Sequence, residues 1–130
     1  MKIACVSDDG VRISPHFGRA EFYVIVTIED GAIVAREVVE KYSPHRAGDL
    51  HHNDENQLDQ HLHAERHHRM FGPILDCEVA IARGMGSSAY THLREAGVRP
   101  ILTDLQTIDE AVDAHLAGTL EHRPERLHQH

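Results

Sequence analysis

Residues 21–40 read EFYVIVTIEDGAIVAREVVE, two β-branched runs either side of Asp30 and Gly31. The run from Glu21 to Ile28 is apolar at successive positions, which predicts a strand buried on both faces. Asp-Gly supplies the positive φ angles that a two-residue hairpin turn needs. Ala32 to Glu40 is then the returning strand. Arg36, Glu37 and Glu40 interrupt its apolar positions, which suits an exposed edge.

Working outward, Ile3 to Val6 is a short apolar strand that Ser7-Asp8-Asp9-Gly10 ends. After the hairpin, Glu78 to Arg83 is a fourth strand and Gly84-Met85-Gly86 a tight turn. Ser87 is the expected cap of a helix ending at Gly97, with Tyr90, Leu93 and Ala96 inward. Val98 to Thr103 is the fifth strand. Thr107-Ile108-Asp109-Glu110 reads as a capping box opening a last helix that Gly118 stops. The order β, hairpin, α, β, α, β, α implies an α/β fold, a five-stranded mixed sheet with helices on its faces. With strand two antiparallel and right-handed crossovers afterwards, the strand order is 3-2-1-4-5. Residues 1–118 form one domain, and Thr119 to His130 reads as a loose, flexible polar tail whose histidines His122, His128 and His130 are solvated.

Residues 45–68 differ in kind. Seven of the thirteen histidines lie there: His45, His51, His52, His61, His63, His67 and His68. A run this polar cannot supply core, and imidazole is a common transition-metal ligand. Asn53 or Asp54 suits a helix cap. A helix from there to about Met70 would set Asp59, His63 and His67 on one face at i, i+4 and i+8. His51, His52, Asp59, His61, His63, His67 and His68 are therefore candidate ligands for nickel, zinc or cobalt. The other reading is a solvated loop whose composition alone gives metal affinity.

The chain has 130 residues and a formal charge of −8, which argues against nucleic acid or an acidic membrane surface as partner. Protonating every histidine would carry −8 to +5, so charge-driven binding should change between mildly acidic and neutral pH. Two cysteines make neither a disulfide framework nor a spaced zinc motif. No secretory leader or membrane-length apolar run is read, so the cytoplasm is the expected compartment.

In a sheet of this order, ligands bind beyond the carboxyl ends of the strands where the winding reverses, here between strands one and four. Ser7-Asp8-Asp9-Gly10, the loop holding Arg12, His16, Phe17, Gly18 and Arg19, and Arg83-Gly84-Met85-Gly86 converge on that point. Glycines let backbone approach a ligand, and a helix N-terminus favours anions. Arg12, Arg19 and Arg83 add fixed positive charge. The chemistry offered is an anion cradle with one imidazole and one thioether nearby, not a nucleophile–base pair.

Met1 to Gly10 (MKIACVSDDG), Ile13 to Arg19 (ISPHFGR) and Asp76 to Gly86 (DCEVAIARGMG) resemble the nitrogenase iron–molybdenum-cofactor accessory family, of the NifX and NifB C-terminal type. The resemblance extends through Ile101-Leu102-Thr103-Asp104 and the last helix, leaving out the histidine segment and the tail. It implies a three-layer α/β/α, ribonuclease-H-like fold without nuclease activity. It also implies binding of iron–sulfur or molybdenum–iron–sulfur clusters and their precursors. A histidine-rich insertion after strand three is similar to one in some small members.

On this resemblance His16, Arg19, Arg83, Gly84, Met85, Gly86, Ser7, Asp8 and Arg12 are the candidate cluster-binding residues. Each has a plainer reading. His16 ligates a cluster or bonds its own loop. Arg19 and Arg83 hold an anionic cluster or pair with Asp8, Asp9 or Asp104. Met85 offers a thioether or packs beneath the turn. Asp8 and Asp9 stand where a two-metal nuclease would place carboxylates, but only Asp104 is placed to join them, so a turn is the better reading. Cys5 reads as core, and Cys77 precedes strand four, at the sheet edge opposite His16. The expected function is a non-enzymatic carrier with the cluster as cargo and cluster-assembly or acceptor proteins as partners, acting as monomer or homodimer. The rival is a divalent-metal storage or buffering protein acting through the histidine loop.

Overall fold

The computed structural model describes residues 1–41 and 71–128. The strands are β1 Lys2–Ser7, β2 Phe22–Glu29, β3 Ala32–Glu40, β4 Val79–Ala82, β5 Met85–Gly86, β6 Arg99–Leu102 and β7 Leu127–His128. The helices are α1 Ser87–Glu95 and α2 Ile108–Ala117. Five strands form one mixed sheet in the order β3-β2-β1-β4-β6. This is the expected order, because the two-residue β5 pairs with β7 outside that sheet. β1 runs antiparallel to β2 and parallel to β4, and β4 is parallel to β6. The expected helix and insertion within 45–68 lie outside the described residues.

The hairpin turns as its sequence predicts. Asp30 has φ 54° and Gly31 φ 77°, so both central residues are left-handed. β3 is the sheet edge and is exposed along most of its length. Arg36, in its middle, reaches Asp109 at the start of α2 and the carbonyl of Gly10, both at 2.9 Å.

Alternation along the strands sorts the apolar residues onto two faces. One face packs Ala4, Val6, Tyr23, Ile25 and Ala80 against Leu93 of α1, with Phe17 and Phe71 stacked at 5.9 Å. The other packs Ile3, Cys5, Val24, Val26 and Ile81 against Ile108, Ala111 and Val112 of α2. With a helix on each face, the described residues form three layers. Thr107 caps α2 as expected: its side chain accepts from the Glu110 N–H, and the Glu110 carboxylate accepts from the Thr107 N–H. α1 differs from expectation, because Gly86 rather than Ser87 is the capping residue and Ala96 is exposed.

The tail departs from expectation. Residues 119–128 run back along the free edge of β6. His122 Nδ1 accepts from the Leu102 N–H at 3.1 Å, and the Arg123 N–H donates to the Leu102 carbonyl at 2.7 Å. His122 also stacks on Tyr90. The physical reason is that an edge strand has backbone groups without a strand partner, and this segment satisfies them. β7 then pairs with β5, matching Leu127 to Met85.

Candidate functional site

The crevice expected between the ends of β1 and β4 is filled by the chain itself. Ser14 bridges the two strands: its N–H donates to Val6 at 2.8 Å, and its carbonyl accepts from the Arg83 N–H at 3.1 Å. Ile13 and Phe17, on either side of it, are buried in opposite faces of the core. The loop therefore sits like a staple, and the recess lies above it. That recess, of about 290 Å³, is lined by Asp8, Asp9, Arg12, Ile13, Ser14, Pro15, Arg83 and Gln106.

The loop after β1 is organised by its own polar side chains. The buried Ser7 hydroxyl accepts from the Gly10 N–H at 2.8 Å and donates to the Arg12 carbonyl. Asp9 Oδ1 accepts the N–H groups of Val11 and Arg12 at 2.9 and 2.8 Å. Those two bonds hold its carboxyl below the usual aspartate value. Asp8 Oδ1 accepts from the Glu21 N–H at 3.1 Å. Asp9 thus serves the turn, and Asp8 ties the turn to the residue before β2. Gly10, with φ 82°, is where the turn requires glycine.

Two of the expected arginines, Arg12 and Arg83, line the recess together. Arg19 and His16 are exposed on the neighbouring one-turn helix Phe17–Arg19 and are not part of its lining. The His16 carbonyl accepts from Arg19 and Ala20, so its backbone serves the loop. Gly84 is buried, its carbonyl accepting from the Phe17 N–H at 3.0 Å. Met85 is 1% exposed and belongs to the core, so its thioether does not face the recess. Gly86, with φ −75°, starts α1 in a conformation any residue adopts. The metal candidates His51, His52, Asp59, His61, His63, His67 and His68 lie outside the described residues. Among the described residues, no three His, Cys, Asp or Glu side chains converge as a metal-ligand group.

The recess is not strongly electropositive. Arg12 and Arg83 face Asp8 and Asp9, so its formal charges balance. Neither Arg19 nor Arg83 pairs with Asp8, Asp9 or Asp104 among the described residues; Asp104 binds Arg123 and Arg126 instead. Arg83 Nε is buried and has no hydrogen-bond partner among the described residues. A buried donor left unpaired is costly, and in native folds such a group calls for an explanation, a bound water or ion among them.

Both thiols are buried. Burial pushes Cys5 up to about 12 and Cys77 up to about 11. Cys77 sits at the far sheet edge, where the Glu78 N–H next to it donates to the Lys2 carbonyl. Gln106, Arg123 and Arg126 escaped sequence reading. Gln106 follows β6 at the expected edge, so strand-end position was the signal available for it. The two arginines offered only an i, i+3 spacing in a polar tail.

The sequence profile of the dinitrogenase iron-molybdenum cofactor family matches residues 1–118. The chain belongs to that family. It is 27% identical over 121 residues to an uncharacterized protein of Methanocaldococcus jannaschii, covering 93% of this chain and 90% of that protein. The apo orange protein of Desulfovibrio gigas has a similar fold, with a TM-score of 0.64 at 22% identity, over 94% of this chain and 92% of that one. A Thermotoga protein provisionally assigned to NifB is similar at TM-score 0.55 and 26% identity, over 93% and 91% of the two chains. The family model thus ends where α2 ends, and residues 119–128 lie beyond it. Among the described residues no helix is long and apolar enough to cross a membrane.

Proposed function

We propose that this member of the iron-molybdenum cofactor family is a non-catalytic carrier for an iron–sulfur or molybdenum–iron–sulfur cluster, or a precursor of one. The observation that supports the reading is Arg83, which lines the recess with Arg12 and keeps a buried Nε donor that has no hydrogen-bond partner among the described residues. An inorganic sulfide anion accepts such hydrogen bonds and is held by charge rather than by covalent ligation. Few protein–metal bonds suit a carrier, which must release its cargo. His16, exposed beside the recess, supplies at most one labile bond. The ribonuclease-H-like classification belongs to the same reading, with Asp9 engaged in the turn and Asp8 in the bond to Glu21 instead of metal catalysis.

The cargo would pass to or from cluster-assembly or acceptor proteins in the cytoplasm, with the carrier a monomer or homodimer. The histidine run at 45–68 is proposed as a secondary nickel, zinc or cobalt site, checked by titrating those ions into the intact chain and a variant with its histidines replaced.

The test of the main reading is anaerobic reconstitution with ferrous iron and sulfide, with and without molybdate, followed by visible spectra and elemental analysis. Stoichiometric cluster on the intact chain, and its loss from Arg12→Gln/Arg83→Gln, is the expected result. An intact chain that takes up no cluster, also when purified without oxygen from its native host, would sink the reading.

A further inference from the structure

Asp104 stands at the end of β6, next to the recess. Arg123 Nε reaches its Oδ2 at 2.9 Å, and Arg126 Nε reaches its Oδ1. Arg126 also donates through Nη1 to the carbonyl of Arg83 at 3.3 Å. On the other side, Gln106, a lining residue, donates to the Asp104 carbonyl at 3.3 Å. β7 adds main-chain pairing to Met85 and Gly86, the residues after the Arg83–Gly84 turn. One segment, 119–128, therefore touches the turn that carries Arg83 and the carboxylate beside it.

Stability alone explains little of this arrangement. Asp104 is 46% exposed and its two arginines 40% and 35%, a degree of exposure at which ion pairs contribute weakly to folding. The local charge count is more telling. Arg12 and Arg83 against Asp8 and Asp9 give balance, and an unpaired Asp104 would make the neighbourhood negative. Arg123 and Arg126 offset that charge. The segment itself carries no net charge, because Glu121 and Glu125 offset its arginines. The effect is directional: the arginines meet Asp104, while Glu121, 75% exposed, comes within 3.9 Å of Arg123 alone.

We infer that residues 119–128, which follow the span matched by the family profile, are a working part of the anion site. They neutralise Asp104 and brace the Arg83–Gly86 turn, so that affinity for a molybdenum–sulfur anion depends on Arg123 and Arg126, which do not line the recess. This rests on reading the recess as an anion site. Arg123 and Arg126 act as positioning residues through Asp104 and Arg83.

The experiment uses the full chain and tetrathiomolybdate as probe, followed by its visible absorption. Arg123→Gln/Arg126→Gln should bind the probe about tenfold more weakly, as expected for exposing one carboxylate beside a multivalent anion. Adding Asp104→Asn should recover most of the loss, a rescue that a merely structural defect would not show. Amide hydrogen exchange of residues 83–86 should speed up about tenfold in the double variant. A double variant that binds like the intact chain, with 83–86 exchange unchanged, overturns the inference. If the intact chain ignores the probe, the recess reading falls. Exchange at 83–86 then decides the brace alone: faster supports it and unchanged refutes it.

Discussion

The backbone of Arg83 is bound to the backbone of Ser14, N–H to carbonyl, at 3.1 Å. Ser14 is in turn bound to Val6, so one residue stitches the ends of β1 and β4 together. The stitch uses no side-chain atom of Arg83. Arg83→Gln should therefore keep the fold, with stability changed by no more than about 1–2 kcal/mol, the scale of a buried polar group gained or lost. It should weaken cluster or thiomolybdate binding by about 10- to 100-fold, as removing a charge-assisted hydrogen bond of roughly 1.5–3 kcal/mol implies. Anaerobic titration beside a urea melt checks both. Undiminished affinity would remove Arg83 from the site.

The position of the recess ranks the candidate residues. Arg12→Gln should cost more affinity than His16→Ala combined with Arg19→Ala, because only Arg12 is in the lining. Raising the salt concentration should narrow the gap by screening. The reverse ranking would move the site to the Phe17–Arg19 turn.

The α2 cap gives a prediction independent of any ligand. Thr107→Ala removes the acceptor for the Glu110 N–H and half of a reciprocal pair. Its expected cost is about 1 kcal/mol by chemical denaturation. A variant as stable as the parent would mean that packing of Ile108 and Val112, not the cap, sets the helix start.

Both cysteine thiols titrate late because burial disfavours the thiolate. With Cys77 at about 11 and Cys5 at about 12, native protein at pH 8 should alkylate far more slowly than protein in urea. The linkage has a definite sign. A folded value raised above the unfolded one gives stability that is complete below the unfolded thiol value and lost as pH climbs toward 11–12. Rapid native labelling of Cys77 at pH 8, read by mass spectrometry, would contradict this.

Asp9 titrates the other way. The N–H groups of Arg12 and Val11 lower its value, so its contribution is present above the unfolded carboxylate value and fades as pH falls through the lower folded one. Asp9→Asn should flatten the acid side of the stability curve below about pH 4, the unfolded carboxylate range. An acid limb identical to the parent's would show that other carboxylates govern it.

Much of this molecule was legible in its residues. The Asp30–Gly31 turn, the edge character of β3, the Thr107 capping box and the strand order all follow from local chemistry and chirality. The two arginines of the recess were legible too, because strand-end position predicts convergence. Met85 was not: a thioether between glycines suits a ligand or a core plug equally until burial is known. His16 and Arg19 shared the right loop, but the burial of Phe17 beside them turned that loop into a staple and left both outside the recess.

Local patterning of turns, caps and apolar runs was enough to settle the α/β architecture, because each of those signals acts within a few residues. The whereabouts of residues 119–128 were a different matter. Their pairing with β5, and the capture of Arg123 and Arg126 by Asp104, join parts of the chain about twenty to forty residues apart. Such contacts exist only once the free edge of β6 has formed and its unpaired backbone groups demand partners.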